Sequence, residues 1–321
     1  MRRLTLYSLD TPYRETLSIR GFEFGNPDAE PCVAIVGAMR GNEYEQNFIC
    51  AELVRRLQDM EAAGITNADK RVLVVPSVNP FSMNVAERFW PVDHTDINRM
   101  FPGYNLGETT QRIAAGLFAA VSPYAYGIQL CSYYLSGDFT PHVRITRANE
   151  LSDEAIAMAD DFGFPYVLVH EPSSFDTTTL NYNWQVWETR AFSVYSRDMG
   201  GLDVEVAATV QDNILRFLAA RGVLDAAAAG GFHSLHISDG DLVRVRTKEA
   251  GGFFVRSVRV GQRVRRGQQL GVVVDAYDGH VREELVSPLD ARVFFSHVSP
   301  TINQYTLAFS LAPSVGWEHA Q

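Results

Sequence analysis

The sequence has few cysteines, no long apolar run and no excess of positive charge. Its three cysteines, Cys32, Cys50 and Cys131, are an odd number without CxxC spacing, which argues against a disulfide framework and a zinc knuckle. No apolar run approaches the length of a membrane span, and none of signal-peptide length follows the first residues. These absences predict a cytoplasmic protein in a reducing compartment.

The charge balance is acidic. The chain of 321 residues carries 38 Asp and Glu against 28 Lys and Arg, a formal net charge of −10. Without a dense basic stripe to offset the general repulsion, no nucleic acid and no membrane partner is expected, and small molecules are the expected ligands. The hydrophobic fraction of 46% predicts a folded chain. The sequence is compatible with a homo-oligomer and does not decide the oligomeric state.

Apolar runs of strand length alternate with helical patterns through the first two thirds of the chain. The strand-like runs are 32–39, 71–78, 124–134, 166–171 and 191–196, and the helical patterns are 43–60, 107–121, 151–163 and 204–221. This alternation predicts an α/β domain whose largely parallel sheet is covered on both faces. In such sheets, ligands bind beyond the carboxyl ends of the strands.

The composition changes after the Ala/Gly run at 226–231. Helical patterns end there, and 251–279 shows short alternating strands punctuated by glycine. We therefore predict two domains, an α/β domain at 1–225 and an all-β domain at 226–321. The glycine rhythm of the second domain resembles biotinyl- or lipoyl-type barrel-sandwich modules, but the candidate hairpin 275–280 has no lysine for a carrier function.

A Gly/Pro-bounded loop after the second predicted strand gathers polar side chains. The loop 79–103 contains Arg88, Asp96, Asn98 and Arg99. An arginine at a strand end can hold a carboxylate by two charge-assisted hydrogen bonds, a geometry that lysine does not reproduce. A solvated loop, in which the arginines pair with local aspartates, is the alternative that spacing alone leaves open.

Four stretches in order resemble the succinylglutamate desuccinylase/aspartoacylase family of the zinc carboxypeptidase-like clan. They are GAMRGNE at 37–43, NP to DINRMFPG within 79–103, the segment 124–134 with TPHVRI after it, and the glycine-rich β module. The resemblance implies a mostly parallel or mixed sheet flanked by helices, with a small C-terminal barrel-sandwich-like domain. It also implies a zinc-dependent hydrolase of N-acyl amino acids or related amides.

The resemblance further implies separate roles for the residues of the site, namely zinc binding, proton transfer and substrate binding. Family members hold one zinc through a His and a Glu of a G-x-H-G-N-E loop and a second His of a D-L-H-T strand end. A glutamate in a T-V-E-L-type motif acts as general base, and arginines of the N-R loop bind the substrate carboxylate. Three ligands leave one position on zinc for water, whose pKa falls to about 7.

Only part of this machinery is present in the chain. Glu43 matches the glutamate ligand and Arg40 stands at the first histidine, while Gln129, Cys131 and Ser132 stand at the Asp, His and Thr of D-L-H-T. Tyr195 stands at the presumed general-base position, with Glu188 and Asp198 as possible substitutes. The carboxylate-binding positions are matched by Arg88, Asn98 and Arg99. The residues expected to bind the substrate carboxylate are retained, whereas the two zinc-binding histidines and the general base are not.

Several alternatives remain for the altered positions. A guanidinium has no lone pair, so a rearranged zinc site would need Glu43, Cys131 and a third ligand. The candidates for that ligand are His94, His142 and His170. Cys131 could instead be a nucleophile with His142 or His170 as base. The aromatic residues Tyr182, Trp184 and Trp187 line a ligand pocket or pack in the core.

Loss of zinc would leave the Glu43 carboxylate in a cleft without a counter-charge, which is costly. We therefore predict that the guanidinium of Arg40 replaces the metal and forms an ion pair with Glu43. Two functions follow from this. The chain is a non-hydrolytic homologue that binds a carboxylate-bearing N-acyl amino acid or peptide-like ligand without a cofactor, or it is a zinc-dependent deacylase with a rearranged centre.

Overall fold

The computed structural model describes residues 1–11, 14–133, 137–197, 201–226 and 230–313. The strands are β1 (Arg2–Thr11), β2 (Arg14–Phe24), β3 (Glu30–Ala38), β4 (Lys70–Ser77), β5 (Tyr126–Cys131), β6 (Gly137–Phe139), β7 (His142–Thr146), β8 (Tyr166–His170), β9 (Arg190–Tyr195), β10 (Leu235–Ser238), β11 (Val243–Arg246), β12 (Gly252–Arg256), β13 (Arg263–Val264), β14 (Gln269–Val274), β15 (Val281–Val286), β16 (Ala291–His297), β17 (Thr301–Ile302) and β18 (Leu307–Pro313). The helices are α1 (Tyr44–Ala62), α2 (Pro80–Asn84), α3 (Thr109–Val121), α4 (Leu151–Met158), α5 (Leu180–Val186) and α6 (Val204–Ala220), with 3₁₀ turns at Ile97–Arg99 and Ala159–Phe162.

A nine-stranded mixed sheet forms the centre of the molecule. Its order is β1-β2-β4-β3-β5-β9-β7-β8-β10. The neighbours from β4 through β3 and β5 to β9 are parallel, whereas β7 runs antiparallel to β9. The predicted α/β class with a mostly parallel or mixed sheet is confirmed. The N-terminal hairpin β1–β2 and the strand β7 are elements that the sequence reading did not include.

Helices cover the sheet on both faces, which explains why β3 reads as one continuous apolar run. Along β3, Val33 and Ile35 join a core with α1 and α6, whereas Ala34 and Val36 join a core with α3 and α5. All four side chains are fully buried. A strand buried on both faces loses the alternation of a half-exposed strand.

The C-terminal part consists of two further sheets around an apolar core. One has the order β11-β18-β16-β13 and the other β15-β14-β12-β17. The backbone ladders cross the predicted division at residue 225/226 in both directions, because β10 pairs with β8 in the large sheet and β6 pairs with β16 in a small one. That division stays a prediction.

The parallel strands place three chain segments at one edge of the large sheet. In register, Val36 of β3 lies beside Gln129 of β5, and Cys131 of β5 lies beside Tyr195 of β9. None of the helices in the described ranges combines the length and hydropathy of a membrane-spanning segment.

Candidate functional site

A cleft of about 110 Å³ lies at this carboxyl edge. Strands β5, β7 and β9, the loop after β3, the 3₁₀ turn Ile97–Arg99 and the segment leading into α5 all contribute to its walls. Its lining residues are Arg40, Asn98, Arg99, Gln129, Cys131, Ser132, Tyr133, Arg144, Thr146, Asp176, Thr179, Asn181, Ser193 and Tyr195. The cleft is therefore polar and contains three arginines.

Arg40 is buried against two carboxylates. Its Nη1 donates to Glu43 Oε1 at 3.0 Å, and its Nη2 and Nε donate to Asp96 Oδ2 at 2.8 and 3.2 Å. The side chain is 4% exposed. The ion pair with Glu43 that the sequence predicted is present, and Asp96 is a second partner that the sequence did not predict.

The Glu43 carboxylate accepts hydrogen bonds at both oxygens. Oε2 accepts from the backbone N–H groups of Met39 and Arg40 at 2.8 and 3.0 Å, and Oε1 accepts from Ser132 Oγ in addition to Arg40 Nη1. Glu43 is 1% exposed, so these four donors replace its hydration.

The residues at the family's metal positions do not fit a zinc ion. Arg40 has no lone pair to donate, and the oxygens of Glu43 already accept four hydrogen bonds. Burial and, to a smaller extent, the charge of Glu43 raise the pKa of the Cys131 thiol to about 12, so the thiolate that zinc requires is disfavoured. Among the described residues, no three His, Cys, Asp or Glu side chains are grouped to hold a metal.

His142 uses both ring nitrogens inside the protein. Its Nδ1 donates to the Thr140 carbonyl at 2.8 Å, and its Nε2 accepts from the Tyr133 hydroxyl at 2.9 Å. Burial lowers its pKa to about 4, and the ring stacks on Tyr195 at 5.0 Å between centroids. A neutral imidazole with both nitrogens occupied is placed neither as a zinc ligand nor as a base for Cys131.

The other two candidate histidines are also occupied or peripheral. His170 lies between Asp176 and Asp239, bonded to both carboxylates. Burial alone would lower the pKa of His170, but the bonds to these two aspartates outweigh it and raise that pKa. His94 is exposed and is not among the described residues that line the cleft.

Tyr195 lines the cleft at the presumed general-base position. Burial raises its pKa to about 12, although nearby Arg144 counteracts this by donating from Nη1 to the hydroxyl at 3.3 Å. A protonated phenol cannot accept a proton from water at neutral pH. Of the possible substitutes, Glu188 is exposed outside the cleft lining, and Asp198 lies outside the described residues.

Two of the three predicted carboxylate-binding residues line the cleft. Asn98 Oδ1 accepts from Gln129 Nε2 at 3.0 Å and from the Leu180 backbone N–H at 3.3 Å, which fixes the amide. Arg99 donates to the carbonyl of Phe175. Arg88 is not among the described lining residues; its guanidinium lies 5.4 Å from the centroid of the Phe89 ring.

The aromatic candidates separate into core and surface. Trp184 is fully buried and packs on Gly127 in the sheet, whereas Trp187 is half exposed and makes an edge contact with Phe118. Tyr182 is partly buried, and none of the three aromatic candidates is among the described residues that line the cleft.

Several lining residues were not singled out from the sequence. Arg144, Thr146, Asp176 and Asn181 reach the cleft from β7, from the loop after β8 and from α5. The one available signal was Arg144, a charged residue within an apolar strand-like run.

The catalytic-domain model of the succinylglutamate desuccinylase/aspartoacylase family matches residues 29–218. The chain is also similar to the N-alpha-acetyl-L-2,4-diaminobutyric acid deacetylase of Halomonas elongata, with 28% identity over 142 residues. That match covers 43% of this chain and 40% of the deacetylase, so it spans less than half of either protein.

Solved structures share the fold over most of the chain. The succinylglutamate desuccinylase/aspartoacylase from Rhodobacter sphaeroides has a TM-score of 0.76 at 24% identity and covers 92% of this chain and 89% of its own. A succinylglutamate desuccinylase from Silicibacter sp. has a TM-score of 0.79 at 20% identity, and the product-bound ectoine utilization protein EutE (DoeB) from Ruegeria pomeroyi has 0.76 at 20%. Each of these two covers 97% of this chain and 93% of its own. The chain belongs to the succinylglutamate desuccinylase/aspartoacylase family, which comprises deacylases and is typically zinc-dependent.

Proposed function

We propose that this chain is a non-hydrolytic member of its family that binds a small carboxylate-bearing ligand, such as an N-acyl amino acid or a peptide-like molecule. The observation that carries this proposal is the buried guanidinium of Arg40, which contacts Glu43 and Asp96 where relatives are expected to bind zinc. The charge of this arginine is taken up by the two carboxylates, and a guanidinium cannot coordinate a water and lower its pKa as zinc does.

Hydrolysis would also need a group that removes a proton from water. The phenol of Tyr195, whose pKa is raised to about 12, stays protonated at neutral pH. The Cys131 thiol is disfavoured as a nucleophile for the same electrostatic reason, because burial opposes its ionisation. Among the described residues that line the cleft, neither Tyr195 nor Cys131 is therefore suited to activate water or attack an amide, while the guanidinium of Arg144, which bonds to a neutral hydroxyl, favours an anion.

Ligand binding would use the retained part of the site. The amide of Asn98 is oriented by Gln129, and the guanidinium of Arg99 lies on the same 3₁₀ turn. A carboxylate in the cleft can receive two parallel hydrogen bonds from one arginine, which fixes its orientation as well as its charge. A protein of this kind would regulate or support an active partner rather than turn over the ligand.

The second candidate function is a deacylase with a rearranged zinc centre. It is favoured by the similarity to the Halomonas elongata deacetylase. This function would require Arg40 to withdraw from Glu43 and the Cys131 thiol to ionise. Both changes are unfavourable, because the first would break a buried ion pair and burial opposes the second.

The two functions are separated by measuring metal content, turnover and binding on one sample purified without chelator or affinity tag. We expect sub-stoichiometric zinc, no hydrolysis of a panel of N-acetyl amino acids, and binding of one of them that Arg99→Gln weakens at least about tenfold. Arg147→Gln, an exposed arginine, is the matched control. Stoichiometric zinc with turnover that Glu43→Ala abolishes would establish the deacylase instead.

A further inference from the structure

Arg144, which is partly buried on β7, differs in its partners from Arg40, the buried arginine of the cleft. Arg40 contacts two carboxylates, whereas Arg144 donates from Nη1 to the neutral hydroxyl of Tyr195 at 3.3 Å. Within the described part of the chain, Arg144 forms no ion pair. Asp239 acts on it electrostatically, but that carboxylate is bonded to His170. The positive charge of Arg144 therefore has no contacting counter-charge from the described residues.

Two enclosed donors of the same cleft also lack an acceptor among the described residues. They are Nε of Arg144 and Nδ2 of Asn181, each shielded from solvent. The other amide atom of Asn181, Oδ1, accepts from Gln185 Nε2 at 3.0 Å, which fixes the orientation of the amide. Buried donors in native proteins nearly always have a partner, so two unmet donors in one cleft indicate a missing acceptor.

We propose that Arg144 and Asn181 form a second anion subsite, and that the ligand is a small dicarboxylate with one carboxylate at Arg99 and the other at Arg144. The assignment rests on the proposed function, since a metal with its bound water would compete for the same space. It adds that the second carboxylate occupies the region beside Tyr195 and Cys131, where relatives are expected to carry out hydrolysis.

The chemistry of the walls favours a carboxylate over a neutral acyl group. A neutral acyl group beside Arg144 would cover this partly buried guanidinium without compensating its charge, which is costly. A planar carboxylate matches the two-pronged geometry of the guanidinium. The arginines lie on different walls, Arg99 on a 3₁₀ turn and Arg144 on β7, so one compact anion is not expected to satisfy both.

The test compares dicarboxylates with their monoamides by isothermal titration calorimetry. Succinate and glutarate are expected to bind the wild-type protein at least about tenfold more tightly than succinamate and glutaramate, because each monoamide loses one charge-assisted contact. Arg144→Gln is expected to abolish this preference by weakening the binding of succinate and glutarate at least about tenfold. Arg99→Gln is expected to weaken both classes, and Arg147→Gln, on the surface, to change neither.

A wild-type preference below about twofold would overturn the proposal, as would a preference that survives Arg144→Gln, or the absence of dicarboxylate binding at millimolar concentration. The comparison of dicarboxylates with monoamides on the wild-type protein tests the proposal even if Arg144→Gln does not fold. Zinc content and turnover measured on the same sample test the proposed function separately. A metal-free, inactive protein that binds acyl amino acids without preferring dicarboxylates would contradict only the subsite.

Discussion

Replacing Arg40 by methionine tests whether this side chain compensates the buried carboxylates. Methionine retains much of the apolar length of arginine but removes the charge. The substitution breaks the bond to Glu43 at 3.0 Å and the bonds to Asp96 at 2.8 and 3.2 Å. Glu43 keeps three of its four donors, whereas Asp96 loses both bonds from the guanidinium.

The expected loss of stability in Arg40→Met is large because the ion pair is buried. Arg40 is 4% and Glu43 1% exposed, so solvent cannot replace the lost partner. Removing one member of a buried ion pair costs roughly 3–5 kcal/mol, because an uncompensated charge remains. We expect Arg40→Met to lower the free energy of unfolding by an amount in this range. Adding Asp96→Asn should recover more than about 1 kcal/mol, since it removes one of the stranded charges.

Arg147 provides the matched control. It also contacts two carboxylates, Asp153 and Glu171, each at 3.5 Å, but it is 48% exposed. An exposed pair is worth about 1 kcal/mol or less, so Arg147→Met is expected to have a small effect. Urea unfolding followed by the fluorescence of the four tryptophans measures all variants. A cost for Arg40→Met below about 1 kcal/mol, equal to that of Arg147→Met, would show that Arg40 does not compensate buried carboxylates.

Three further predictions concern a histidine, a cysteine and a glycine. Folding raises the pKa of His170 and lowers that of its partner Asp176, so the two side chains stabilise each other when both are charged. This stabilisation is complete at a pH between the ordinary carboxyl and imidazole pKa values. It is lost as the pH rises through the folded pKa of His170. His170→Asn should therefore cost more stability at about pH 5.5 than at about pH 8.5 in urea unfolding, and an equal cost would contradict this. The thiol of Cys131, with its pKa raised to about 12, should react with an aromatic disulfide reagent only after unfolding, and rapid native modification at pH 8 would count against its burial. In Gly127→Ala, the new methyl group would lie 2.6 Å from ring atoms of Trp184, so a loss of roughly 1–3 kcal/mol is expected, and an unchanged thermal midpoint would show that this packing is wrong.

Much of the large sheet was predictable because its strands are buried on both faces. The runs at 32–39 and 71–78 correspond to β3 and β4 within a few residues. The hairpin β1–β2 was not predictable, because a register shift between Thr5 and Tyr7 breaks the alternation of apolar and polar side chains along β1. Leu4 precedes the shift and Leu6 lies at it, yet Tyr7 and Leu9 after the shift also pack on the same core. A period of two cannot represent such a strand.

The site shows the same limit. The ion pair of Arg40 with Glu43 was predictable because a carboxylate that loses its metal needs a counter-charge, and Arg40 stands in the same loop. Asp96 meets Arg40 only because its loop folds back over the carboxyl edge of the sheet. Arg144 reaches the cleft because β7 is inserted antiparallel beside β9, an order that local sequence does not encode.

The proposed function requires that the guanidinium of Arg40 takes the place of the zinc ion that is typical of this family. Its most direct test is zinc binding to the wild-type protein and to a variant with Arg40→His and Cys131→His, measured by titration calorimetry and metal analysis after dialysis. The variant restores the two histidines that the family resemblance implies, and Glu43 remains as the third ligand. We predict that the wild-type protein retains no stoichiometric zinc and that the variant does. Stoichiometric zinc on the wild-type protein, lost in Glu43→Gln, would contradict the claim.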